Sequence, residues 1–169
     1  MAPSARAPAL RIGQAALAAL RSAAAAAYPE ECCGLVVGRR HPEATVTRLI
    51  AAANRHPRPR RNFTVDPARH FALLRELRAQ GAAAGAALPA EELLGHYHSH
   101  PDADAVPSRH DLARADDPAL LWLIIEARGG QAGTVTVWLP RVEGSSTVGF
   151  DPVLMEVMPD NAGGAAEIP

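Results

Sequence analysis

The 169-residue chain contains no lysine, so all 17 of its basic residues are arginine. Against 18 acidic residues the formal charge is −1, which excludes the strong basic field of a dedicated nucleic-acid binder. A GC-rich genome explains the missing lysine most simply, because it depletes lysine codons and inflates alanine, here 36 residues. Cysteine is scarce too. The two present, Cys32 and Cys33, are adjacent and cannot staple distant parts of the chain, so packing as small apolar side chains is their plain role. Apolar runs such as Ala23–Pro29 fall far short of the ~20 residues a membrane span needs. Arginines at 6, 11 and 21 interrupt anything resembling a secretory signal. With no membrane segment, signal or disulfide framework, the expected compartment is the cytoplasm. What is present is ordinary for a globular protein: 48% hydrophobic and 21% charged residues, enough for one domain with a sizeable core.

Along the chain, residues 1–8 read as a flexible leader and 158–169 as a tail, leaving 9–157 as the folded unit. Ala9–Ala27 reads as one helix, with Leu10, Leu17 and Leu20 apolar, ended by Tyr28-Pro29. Cys33–Gly38 is a short buried strand. Ala44–Ala53 is a second, with Val46 and Leu49 as core candidates. Asn54–Arg61 is a loop with four arginines and two prolines. Asn62–Val65 reads as a brief strand before a helix over Pro67–Gln80, opened by Asp66 as N-cap and Pro67 in the first turn. That helix spaces Phe71, Leu74 and Leu77 periodically and stops at Gly81. An alanine/glycine connector, Gly81–Pro89, follows. Leu93–His98 is a strand, Ser108 opens a short helix, and Leu120–Ala127 and Thr134–Leu139 are strands joined through Gly129-Gly130. Val148–Val157 adds an edge strand. The fold class is mixed α/β.

The chemistry concentrates in residues 95–111. If the strand over 93–98 extends to His100, alternation puts His96, His98 and His100 on one face. Two imidazoles at i and i+2 can share a metal, and a carboxylate from elsewhere completes three protein ligands. Asp111, eleven residues beyond His100, is placed for that by a chain that loops back. Zinc with three N/O ligands and one open position is the catalytic arrangement, and water on it has its pKa lowered to ~7. A second reading of Asp111 stands beside this one. Ser108–Asp111 also fits a helix capping box, and one carboxylate can serve both roles through its two oxygens. His96 and His110 read as core or solvent-facing side chains.

The segment Tyr97–Pro101 (Tyr-His-Ser-His-Pro), followed by Pro107, Ser108 and Asp111, resembles the zinc signature of the JAMM/MPN+ metalloproteases. Glu30-Glu31-Cys32-Cys33-Gly34-Leu35 is similar to the family's upstream glutamate and its Cys-Gly-Leu strand, and Phe63–Pro67 to the segment opening its second helix. The resemblance runs from about residue 10 to 140. It implies a cytidine-deaminase-like α/β fold, with a central, mostly antiparallel sheet flanked by helices and the site at the end of a central strand. It also implies one catalytic Zn2+ held by His98, His100 and Asp111, with Glu31 as general base and Ser108 helping to stabilise the oxyanion. Glu30 competes with Glu31 for the base role, since spacing alone does not separate neighbours.

The same resemblance implies hydrolysis of the amide bond after the C-terminal Gly-Gly of a ubiquitin-like or sulfur-carrier protein, and it leaves a homodimer open. Release of an amino acid from a carrier terminus, or a non-catalytic scaffold binding a partner protein, are the other readings. The chain has no His-Glu-x-x-His helix site, no deaminase pattern, no phosphate-binding glycine loop and no nucleophile elbow. Gly81–Pro89 is either a plain connector or a contact for the substrate's tail. Arg55–Arg61 is either a solvated loop or a dock for an acidic surface.

Overall fold

The computed structural model describes residues 9–83 and 90–160. The expected leader 1–8, residues 84–89 of the connector and the tail beyond 160 lie outside the described residues. The order of elements is β1 (Ala9–Gly13), α1 (Gln14–Ala27), β2 (Cys33–Arg39), β3 (Ala44–Ala52), α2 (Pro67–Ala83), β4 (Glu92–Pro101), α3 (Arg109–Leu112), β5 (Leu121–Arg128), β6 (Gln131–Glu143) and β7 (Ser146–Met158).

The α/β class holds and antiparallel pairs are in the majority, but the sheet is mixed and closed. The strands close into a barrel in the order β1-β3-β2-β4-β5-β6-β7. The β1–β3, β1–β7 and β4–β5 pairs are parallel and the other four are antiparallel. Two corrections produce the closure. Residues 9–13 are a strand, not the start of the helix: Leu10 and Ile12 are buried with Arg11 outward, a two-residue period. Arg11 then pairs with Glu43, just before β3, and with Glu156 on β7. The last strand is not an edge, because β1 pairs with it over Ala9–Gly13 while β6 pairs with its other side.

Local sequence accounts for most boundaries. Gly129 and Gly130 both have positive φ, 56° and 81°, the geometry of a two-residue hairpin turn between β5 and β6. That tight turn lets β6 begin at Gln131, three residues before the expected Thr134. The α1 helix buries Leu17, Leu20 and Ala24, the i, i+3, i+7 stripe of an amphipathic helix. Its N-terminus has no side-chain cap from Gly13; instead both carboxylate oxygens of Asp160 accept the Ala15 N–H at 2.9 and 3.0 Å. The α2 helix does run on past Gly81, since a helix-interior glycine costs only about 1 kcal/mol. It also turns a different face inward from the expected one. Leu73 and Leu77 are buried, whereas Phe71 is 65% exposed. Arg48 on β3 pairs with Glu76 of α2 and with Glu91, fixing that orientation. Residues 62–64 form no strand, and Val65 makes only an isolated bridge with Asn54.

The core has separate compartments. Leu20, Val36, Tyr97, Leu123 and Ile125 belong to the largest, under α1. Leu35, Val37 and Ile50 pack against Leu73 and Leu77 of α2. Cys33, Phe63, Ala115 and Trp122 make a third. Because β2 feeds all three, it is buried on both faces.

Candidate metal centre

Strand β4 carries the site because alternation along it sorts side chains between compartments. Tyr97 goes to the apolar cluster under α1, while His96 and His98 meet Trp122 edge-on, at ring-centroid distances of 4.1 and 5.9 Å. Parallel pairing with β5 continues through His98, His100 and Pro101, so the strand stays extended to the last histidine as alternation requires.

His98 Nε2 and His100 Nε2 lie 3.0 Å apart. Asp111 brings Oδ1 to 3.2 Å from the first and Oδ2 to 3.4 Å from the second. All three residues are buried, and their ligand atoms lie within 4.8 Å of one another. The capping reading of Asp111 is realised at the same time. The Ser108 N–H donates to Asp111 Oδ2 at 2.7 Å, and the Asp111 N–H donates to Ser108 Oγ at 3.2 Å. The cap thus orients the carboxylate toward the imidazoles. His96 shares the histidine face but stands outside this cluster.

Residue 31 is separated from residue 30 by burial. Glu30 is exposed and Glu31 is 7% exposed. Burial raises the Glu31 carboxyl to about 8, opposed by His100 and reinforced by Asp111. Burial likewise lowers His98, against the attraction of Asp111. In His100 the pull of Asp111 and the Asp104 carbonyl outweighs burial and raises it. Burial would raise Asp111 too, but hydrogen bonds from His100 and His98 hold it far below the usual carboxylate range. The cysteine thiols are pushed up by burial, to about 11 for Cys32 and about 12 for Cys33. They remain neutral, as packing groups should.

Glu31, His100 and Ser108 open onto one cleft of about 580 Å3, with Tyr28, Arg60 and Arg61 also in its wall. The arginine-rich loop is therefore not simply solvated. Arg55 pairs with Asp66 at 2.8 Å, and Arg60 and Arg61 reach the cleft. Three residues that sequence reasoning missed hold this arrangement together. The Asn54 amide donates to the Glu31 and Asn62 carbonyls and accepts from the His56 and Thr64 N–H groups, each at 3.0 Å. All its donors and acceptors are used. Ser99 Oγ accepts the Cys32 N–H at 2.9 Å, and the Ser99 N–H donates to the Cys32 carbonyl at 3.1 Å. Arg114 donates to the Phe63 carbonyl and to Thr64 Oγ1. Spacing gave none of the three a role, because most of their partners are groups remote in sequence; the His56 N–H on Asn54 is the local exception.

The donor set fits zinc. His100 directs Nδ1 to the Asp104 carbonyl at 2.9 Å, which leaves its Nε2 lone pair facing His98 and Asp111. Two imidazoles and one carboxylate beside an open cleft match the three-ligand, catalytic type of site, whereas a structural zinc is closed by four.

A closed α/β barrel with a buried His-His-Asp cluster beside a cleft thus defines the class of protein. The chain belongs to the JAB, or JAMM/MPN, family: the profile of prokaryotic homologs of the JAB domain matches residues 13–140. It is 32% identical over 109 residues to the desampylase of Haloferax volcanii, covering 64% of this chain and 71% of that protein. It is 36% identical over 87 residues to a probable TtuB-protein conjugate cleaving protease of Thermus thermophilus, covering 52% of this chain and 50% of that one. The structure of protein DSY2949 from Desulfitobacterium hafniense superimposes with a TM-score of 0.73 at 26% identity, covering 90% of this chain and 95% of that one. The JAB1/MPN domain protein AF2198 of Archaeoglobus fulgidus gives 0.52 at 17% identity, covering 89% and 98%, a likeness of fold alone.

Proposed function

We propose that the chain is a zinc-dependent hydrolase that cleaves the amide bond after the C-terminal Gly-Gly of a ubiquitin-like or sulfur-carrier protein. The observation that carries this is the convergence of His98, His100 and Asp111 in one buried cluster, which His100 connects to a cleft that also holds a buried glutamate. Membership of the JAB family and the names of the two curated relatives support the substrate class. The catalytic unit is residues 9–160, because β7 runs to Met158 and Asp160 accepts the Ala15 N–H of α1, so the expected boundary at 157 falls too early. No helix among the described residues is long and apolar enough to cross a membrane, and we assign the enzyme to the cytoplasm, as a monomer or a homodimer.

His98 and His100 through Nε2 and Asp111 through its carboxylate would hold the metal. Zinc bound there supplies a Lewis acid for the scissile carbonyl and lowers the pKa of water to about 7. Glu31 takes a proton from the attacking water and returns it to the leaving amine, a role suited to a carboxylate that lines the cleft beside His100 without belonging to the ligand cluster. The Ser108 hydroxyl accepts the Asp111 N–H, so its own hydrogen is free to donate to the carbonyl oxygen as charge builds.

The test is incubation of the zinc-loaded protein with Gly-Gly-linked conjugates of a ubiquitin-like protein from the same source. Wild type should cleave, with Glu31→Gln about 10²–10⁴-fold slower and His98→Ala without zinc or activity. Cleavage that survives both substitutions and a chelator would sink the mechanism. A second reading, release of a single amino acid from a carrier terminus, is favoured by Arg60 and Arg61 in the cleft wall, which suit a leaving group with a free carboxylate. Faster turnover of that substrate than of an isopeptide, lost in Arg60→Ala or Arg61→Ala, would select it.

A further inference from the structure

The two histidines of the cluster are held by different means. A metal-binding imidazole is usually oriented by a hydrogen bond from its second nitrogen. His100 follows that rule through the Asp104 carbonyl. His98 does not: its Nδ1 is buried and has no hydrogen-bond partner among the described residues. Its ring lies instead almost flat on Phe63, with centroids 4.3 Å apart and planes 17° apart, while Trp122 stands at 87° to it.

Phe63 lies outside any helix or strand, so its ring must be placed by side-chain contacts. Arg114 supplies several of them, beside the packing of Cys33, Ala115 and Trp122. Its guanidinium donates to the Phe63 carbonyl and, at 3.3 Å, to Thr64 Oγ1. Its terminal carbon lies 5.2 Å from the centroid of the Phe63 ring, within cation–π range. The Arg114 N–H donates to the Asp111 carbonyl at 3.0 Å. One residue therefore links the backbone of Asp111 to the ring that supports His98.

We propose that Phe63 and Arg114 are positioning residues of the metal centre: Phe63 is the plate that fixes the His98 imidazole plane in place of a hydrogen bond, and Arg114 is the clamp that holds the plate and the Asp111 turn together. The proposal rests on the reading of His98, His100 and Asp111 as zinc ligands. It gives a role to the Phe63–Pro67 segment beyond opening α2.

The experiment uses the full chain, stripped with a chelator and reloaded. Zinc affinity is measured by chelator competition, and ligand geometry by the visible absorption of the cobalt-substituted protein. Phe63→Leu, which keeps apolar bulk, should weaken zinc binding roughly 10- to 100-fold and alter the cobalt bands, whereas Phe63→Tyr should retain both. Arg114→Met should weaken binding about tenfold and shift the bands the same way, and it gives the same reading if Phe63→Leu does not fold. Folded Phe63→Leu or Arg114→Met proteins with wild-type affinity and an unchanged cobalt spectrum would overturn the proposal while leaving the zinc reading intact. A wild-type protein that binds neither metal would overturn both.

Discussion

The two compartments served by strand β4 obey opposite physical rules. On one side Tyr97 sits with Leu10, Leu20, Leu123 and Ile125, all 0–1% exposed, where each buried side chain contributes about 1.5–3 kcal/mol. On the other, Glu31, His98, His100 and Asp111 are all less than 9% exposed, and burial of such groups costs free energy unless they are paired. Neighbouring residues on one strand thus stabilise the barrel and strain it. The apolar side keeps the barrel shut, and the barrel in turn holds ionisable groups in positions they would not adopt on their own. Substitutions in the two compartments should therefore move different measured quantities.

The largest effect should fall on the apolar side. Leu123 is fully buried in the cluster under α1, and Leu123→Ala should cost about 2–5 kcal/mol of unfolding free energy in denaturant melts. Zinc affinity per folded molecule should stay at the wild-type value, because the Leu123 side chain packs in the apolar cluster under α1 with Tyr97, on the other side of β4 from the ligands. A variant that kept its stability but lost zinc would break the separation between the compartments.

The polar side should show the reverse, and pH exposes it. The Glu31 carboxyl is raised by burial from its ordinary 4.5 to about 8. A group whose folded value is raised stabilises the fold fully below the unfolded value and loses that contribution as pH climbs through the folded value. Metal-free wild type should therefore weaken between about pH 4.5 and 8, whereas Glu31→Gln, which cannot ionise, should not. At about 1.4 kcal/mol per unit, the variant should be a few kcal/mol more stable than wild type at pH 9, and the two should melt alike at pH 4. Equal melting at pH 9 would mean that Glu31 carries no burial penalty, and the contrast between compartments would lose its sharpest member.

Much of the polar side and six of the seven strands were legible in the sequence; strand β1 and the closure it makes were not. The histidine face follows from a two-residue period, and Asp111 follows from a cap and a ligand requirement that one carboxylate can meet together. Closure of the barrel depends on Leu10 pairing with Met155. Five residues, Ala9–Gly13, are too few for periodicity to separate strand from helix when Leu17 and Leu20 follow at helical spacing. On α2, Phe71, Leu74 and Leu77 keep a helical period, but of these only Leu77 is buried, joined by Leu73 against Leu35, Val37 and Ile50; spacing alone does not say which side meets the sheet. Asn54, Ser99 and Arg114 received no role from the sequence because most of their partners are groups of residues distant in sequence.

Ser99 is where the two compartments meet, and it gives the smallest and most discriminating effect. It lies between His98 and His100, is fully buried, and turns its hydroxyl to Cys32 rather than to the metal cluster. Its hydroxyl and N–H instead hold both backbone polar groups of Cys32, the residue after Glu31. Ser99→Ala should leave the Cys32 N–H without that partner, at about 1–3 kcal/mol, and should let the Glu31 carboxylate drift from the cleft. Zinc affinity should be unchanged, since both histidines keep their strand register. The expected signature is a kcat lowered on the order of tenfold with KM nearly constant, because a displacement of about 1 Å at a reacting group can cost up to 10²-fold. If kcat holds while stability falls, the Asn54 contact to the Glu31 carbonyl suffices to place the base. If zinc affinity falls with kcat, β4 transmits strain along its length and the compartments are one unit.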